Sequence, residues 1–110
     1  MTRVEVNPLI KNDRRKPVRE KVTEQKLTRM VKAAGGIALK FVSPGFDGMP
    51  DRLVLLPGGH FAFVEVKALG EKPRPLQLAR HKLLRYLGFR VFILDDAEQI
   101  EGMIDEIRSA

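Results

Sequence analysis

Cysteine and tryptophan are absent from the 110 residues, and tyrosine occurs once. Without cysteine there is no disulfide, no thiolate nucleophile and no Cys-based zinc site. Aromatic residues make up only 6% of the chain. Tyr86 and the six phenylalanines form no pattern of rings interleaved with bases, which argues against a stacking platform for single strands. No phosphate-cradling GxxxxGK run is present, so no nucleotide cofactor is expected. No stretch reaches about 18 uninterrupted apolar residues, and no membrane partner is expected. The first residues, MTRVEVNPLIKNDRRK, lack the apolar stretch of a secretory signal. The expectation is a cytoplasmic protein.

What the chain does contain is enough for one small domain. Apolar residues make up 44% and charged residues 31%, which suits a packed core under a polar surface. No repeat or low-complexity tract interrupts it. Residues 1–16 combine turn formers with charge and show no helical or alternating period, so they read as a basic flexible arm preceding a domain over 17–110. The net charge of +6 is unevenly spread. Residues 11–32 carry nine Lys or Arg against three acids, residues 67–90 carry seven against one, and residues 91–110 carry six acids against Arg108. The basic segments would attract a polyanion such as nucleic acid, or serve only as a solubilising surface.

Periodicity and punctuation predict a helix over 18–34, with Pro17 in its first turn, an apolar stripe of Val22, Leu27, Met30, Val31 and Ala34, and Gly35-Gly36 as its end. Strands follow at 37–42, 52–56 and 61–67, separated by SPGFDGMP and PGGH, and the last two should form a hairpin. A helix over 75–87 places Leu76, Leu83, Leu84 and Leu87 inward and stops at Gly88. A nearly continuous apolar strand over 89–94 reads as buried on both faces. Asp96 caps a last helix over 97–108, with Gln99 in capping-box position. The fold class is α/β, a mixed four-stranded sheet flanked by helices in the order α-β-β-β-α-β-α.

Alternation along the third strand puts Phe61, Phe63, Glu65 and Lys67 on one face and Ala62, Val64 and Val66 on the other. A carboxylate and an ammonium then project about 7 Å apart near the end of an apolar strand. Taken alone, this reads first as a cross-strand ion pair at a sheet end. Asp51, arriving on the neighbouring strand, adds a second carboxylate. Two such groups repel unless a cation lies between them, and oxygen-only ligation suits Mg²⁺ or Mn²⁺. A metal held there can polarise a phosphoryl group and lower the pKa of an attacking water, with Lys67 placing that water or steadying the phosphate charge.

Pro50-Asp51, thirteen intervening residues, then Glu65-Val66-Lys67 resembles the PD-(D/E)XK nuclease motif. The run from Gly35 to Leu94 resembles the VRR-NUC family of that superfamily, in its stand-alone phage or bacterial form. Supporting pieces are the preceding helix with Glu24, the stretch KFVSPGFDGMPDRLVLLPGG, and Pro75-Leu76-Gln77 opening the next helix; the match covers about residues 18–108. The resemblance implies a restriction-endonuclease-like core. It implies that Asp51, Glu65 and the backbone carbonyl of Val66 bind metal, that Lys67 is the catalytic lysine, and that Gln77 orients Lys67 or the substrate. It places a further acid on the first helix, at Glu24 in preference to Glu20, which shares its face.

The two carboxylates can share a site only in one hairpin register. A two- or four-residue turn at PGGH would pair Asp51 with Val66 and put it on the wrong face. A three- or five-residue turn pairs Asp51 with Glu65. The sequence therefore predicts an odd-length turn using Gly58 or Gly59 at positive φ, or a bulge of the same effect.

Residues 43–48 read as a loop beside the site. His81, one turn after Gln77, reads as a partly exposed helix residue outside the catalytic set, and His60 as part of the hairpin turn. The function implied by the resemblance is a metal-dependent endodeoxyribonuclease acting on branched or structured DNA, with Holliday junction resolution by a homodimer as the leading case, in the cytoplasm of a bacterial or phage-infected cell. The alternatives are a non-catalytic basic DNA-binding module and a flap or restriction-like nuclease.

Overall fold

A computed structural model describes residues 18–109, so the basic arm lies outside the described residues. Helix α1 spans Val18–Ala33, and strands β1, β2 and β3 span Ile37–Lys40, Arg52–Leu56 and His60–Val66. Helix α2 spans Pro75–Tyr86, β4 spans Val91–Leu94, and a 3-10 turn at Ala97–Gln99 runs into α3, Ile100–Arg108. The sheet order is β1-β2-β3-β4. The first two pairings are antiparallel, and β3 pairs with β4 in parallel after the α2 crossover. The α-β-β-β-α-β-α order is the one read from the sequence, and no described helix is long and apolar enough to cross a membrane.

Alternation divides the sheet into two unlike faces. Val54 and Leu56 of β2 and Ala62, Val64 and Val66 of β3 pack with Leu27 and Val31 of α1 and with Ile100, Met103, Ile104 and Ile107 of α3. Burying each of the larger aliphatic side chains contributes about 1.5–3 kcal/mol. Arg90 ties α3 down from outside, its guanidinium donating to the Glu106 and Ile107 carbonyls at 2.9 and 2.7 Å, where a helix C-terminus favours a cation. On the opposite face Phe63 meets Phe41 and Phe89 edge-on.

The hairpin register follows from its turn. Leu56 pairs with His60 across Pro57, Gly58 and Gly59, and both glycines take positive φ, 88° and 80°. This three-residue turn pairs Arg52 with Val64 and thereby sets Asp51 opposite Glu65. Asp96 caps as expected, accepting from the Glu98 amide at 2.9 Å, while the Gln99 side chain accepts from the Asp96 amide.

Several sequence expectations need correction. His60 is the first paired residue of β3, not a turn residue, because the turn closes one residue earlier. In α2 only Leu84 of the four predicted leucines is buried; Leu76, Leu83 and Leu87 are exposed, because the row facing the sheet is Gln77, His81 and Leu84. Val22 is likewise exposed on α1. The fourth strand begins at Val91 and forms a sheet edge with Ile93 exposed, so it is not buried on both faces. The first strand ends at Lys40, although the Phe41 amide still donates to the Asp51 carbonyl at 2.9 Å.

Candidate active site

The strand ends, the amino-terminal half of α1 and the first turns of α2 meet at one end of the sheet. Pro50 is fully buried and Asp51 sits at a bend just before β2. Asp51 Oδ1 accepts from the Val66 amide at 3.1 Å, which fixes this carboxylate to the strand carrying Glu65 and Lys67. Glu20 and Glu24, one turn apart on α1 and both buried, bring a carboxylate oxygen each to within 4.8 Å of one from Asp51. Arg52 neutralises part of this charge: its guanidinium pairs with Glu24 Oε1 at 2.9 Å and donates to the Ala38 carbonyl at 3.3 Å.

Glu65 lies on the α2 face of β3 and is only 3% exposed. Gln77 Nε2 donates to Glu65 Oε2 at 3.0 Å, while Gln77 Oε1 accepts from the Arg74 amide at 2.8 Å as part of the helix cap. One residue thus closes the start of α2 and holds a carboxylate. Lys67 Nζ stands 3.7 Å from the same Glu65 oxygen. His81 Nε2 stands 3.7 Å from Glu65 Oε1, and the ring is wholly buried, against the expectation of a partly exposed helix residue. Burial pushes the imidazole below its ordinary value of 6.5, and the nearby Arg85 and Lys67 charges lower it further, so the ring is neutral at neutral pH.

Of the residues singled out in the sequence, Glu24 and Asp51 therefore share one carboxylate group with Glu20, and Glu65, Lys67 and Gln77 share a second group with His81. The Val66 backbone joins the two, since its amide binds Asp51 and its neighbours in the chain are Glu65 and Lys67. The helix acid is not a choice between Glu20 and Glu24 in space: the spacing i, i+4 brings both to the cluster. Sequence reasoning missed the Arg52–Glu24 pair and the burial of His81. The second was readable in principle, because Gln77, His81 and Leu84 fall on one helical row.

The loop before Asp51 is pinned from α2. Arg80 Nε donates to the Asp47 carbonyl at 2.7 Å, and its guanidinium lies 3.8 Å from the centre of the Phe46 ring, a cation–π contact. Gly48 has φ of 90°, and a Cβ there would lie 2.8 Å from Leu76 Cγ, so only glycine lets the loop pass this close to the helix.

An all-oxygen group, with Glu20 and Glu24 buried, Asp51 half-buried and the Arg52 guanidinium paired to Glu24, fits a hard divalent cation by donor type. No protein-family model matches the sequence. Over 81 residues, 74% of this chain and 87% of the relative, it is 53% identical to a protein named "Putative nuclease p44" of Acyrthosiphon pisum secondary endosymbiont phage 1. A solved structure described as "VRR_NUC domain" matches with a TM-score of 0.76 and 34% identity, over 81% of this chain and 97% of that one. With the sheet order, the Asp51–Glu65 register and these likenesses in agreement, the chain belongs to the VRR-NUC family.

Proposed function

We propose that the protein is a divalent-metal-dependent DNA endonuclease that hydrolyses phosphodiester bonds in branched DNA, with four-way junctions as its substrate and two copies acting on two strands. The observation that carries this reading is the gathering of Glu20, Glu24 and Asp51 within 4.8 Å at the sheet end from which Lys67 emerges. Asp51 with Glu24 or Glu20, together with Glu65 and the Val66 carbonyl, would hold Mg²⁺ or Mn²⁺. When bound, such an ion polarises the phosphoryl group and supplies a hydroxide-like water.

The chain's own groups do the rest. Lys67 offers an ammonium to the phosphate oxygens where negative charge accumulates, and its approach is set by the 3.7 Å contact to Glu65. Gln77 donates to that same Glu65 oxygen at 3.0 Å and holds the carboxylate in place. Lys72, Arg74, Lys82 and Arg85 are exposed on α2 and its approach, and support phosphate contacts along the duplex arms.

The test is incubation of a labelled four-way junction with wild-type and Asp51→Ala protein in Mg²⁺, Mn²⁺ or EDTA. Cleavage by the wild type alone, and only with metal, is the expected result. Binding by both proteins with cleavage by neither would replace this reading with that of a DNA-binding module.

A further inference from the structure

His81 lies on the buried row of α2, between Gln77 and Leu84. Its ring is 0% exposed, and neither ring nitrogen has a hydrogen-bond partner among the described residues. A buried polar ring is unfavourable unless its donor or acceptor is used. The nearest use is specific: Nε2 lies 3.7 Å from Glu65 Oε1, while Gln77, one turn earlier on the same helix row, already binds the other Glu65 oxygen. A distance of 3.7 Å is a small side-chain rotation from hydrogen-bond length, and bonds of this kind tighten when a site is loaded.

From this geometry we infer that His81 is a positioning residue for Glu65: its ring donates Nε2–H to Oε1, so that Gln77 and His81 together grip both oxygens of the carboxylate from α2. The inference rests on the reading of Glu65 as part of the catalytic centre, and it goes beyond it by assigning work to a residue that touches Glu65 and not the substrate. An ionised carboxylate accepts at about four lone-pair positions, so both grips leave acceptor capacity on the opposite side. The bond fixes the plane of the carboxylate, as hydrogen-bond partners of ligating side chains do elsewhere. Lys67, 3.7 Å from Oε2, is placed by the same constraint.

The first test reads the bond without any activity. In the full-length, metal-free protein, nitrogen-detected histidine spectra should show His81 protonated at Nε2. The Nε2–H resonance should move upfield in Glu65→Gln, where the acceptor has lost its charge. Protonation at Nδ1 alone, or a resonance indifferent to Glu65→Gln, overturns the inference.

The second test compares His81→Leu with His81→Gln, whose amide reaches the Nε2 position. His81→Leu should fold and lose about 10- to 100-fold in kcat or in Mn²⁺ affinity by calorimetry, with KM for the junction little changed. His81→Gln should recover most of the loss. Equal losses in both variants, or none in either, would mean that the ring only fills space. If the wild type cleaves nothing, the nuclease reading fails, and the spectra still decide whether the His81–Glu65 bond exists.

Discussion

The Val66 amide donates to Asp51 Oδ1 at 3.1 Å, so one acid of the carboxylate group is tied by a hydrogen bond to the strand that carries the other group. The side chain therefore has a structural task, as an acceptor, and an electrostatic one, as a charge.

Asp51→Asn separates the two. The amide oxygen keeps the bond to Val66, and the melting temperature should stay close to that of the wild type. Cleavage should fall by about 100-fold or more, because in the proposed mechanism this charge holds the metal and its loss removes several kcal/mol of transition-state stabilisation. Asp51→Ala should lose both stability and cleavage. Thermal unfolding and single-turnover cleavage of the two variants side by side check this.

Arg52 pairs with Glu24 of α1 at 2.9 Å and places a positive charge beside the α1 acids. Arg52→Gln should destabilise the fold by about 3 kcal/mol, since it breaks a largely buried ion pair by removing one partner. Saturating Mg²⁺ should raise the melting temperature of Arg52→Gln more than that of the wild type, because the ion then supplies the missing charge. Equal metal-induced shifts in the two proteins would contradict this account of the cluster.

The neutral His81 ring sets a pH dependence of stability. The unfolded chain takes up a proton there as pH falls through about 6.5, whereas burial and the Arg85 and Lys67 charges keep the folded ring neutral to lower pH. The stabilisation is thus fully present above pH 6.5 and is lost progressively below it, as the folded pKa is approached. Urea midpoints measured from neutral pH downward should fall more steeply below pH 6.5 for the wild type than for His81→Gln.

Gly36 joins α1 to β1 where the chain crosses β2. A Cβ there would overlap the Leu55 carbonyl oxygen and lie 2.8 Å from Leu56 Cδ2. Gly36→Ala should cost about 1–3 kcal/mol by overpacking. The activity per folded molecule should be retained, since the substitution is at the end of β1 remote from the Lys40–Arg52 pairing that leads to the site. Urea unfolding combined with cleavage assays at low temperature would show this split.

Much of the fold was legible because local signals agreed with one another. The hairpin is the clearest case. An odd-length turn was expected, and Pro57-Gly58-Gly59 supplies one with both glycines at positive φ, although Asp51 lies with Glu20 and Glu24 while Glu65 lies with Gln77 and Lys67. The α2 helix shows the limit. Its leucines outnumber its buried positions, and counting apolar residues gave the wrong inward face, because the row that meets the sheet is the one that carries Gln77 and His81.

The sequence by itself determined the order of elements, the hairpin register and the list of candidate site residues, since these follow from alternation, turn chemistry and side-chain type. Only the tertiary structure decided how the acids are grouped: Glu20 and Glu24 with Asp51, and Glu65 with Gln77, Lys67 and His81. The reason is that a helix's spacing fixes which of its residues share a face. Where that face comes to rest is set by packing against the sheet, here by Leu27 and Val31 on one side and by Leu84 on the other.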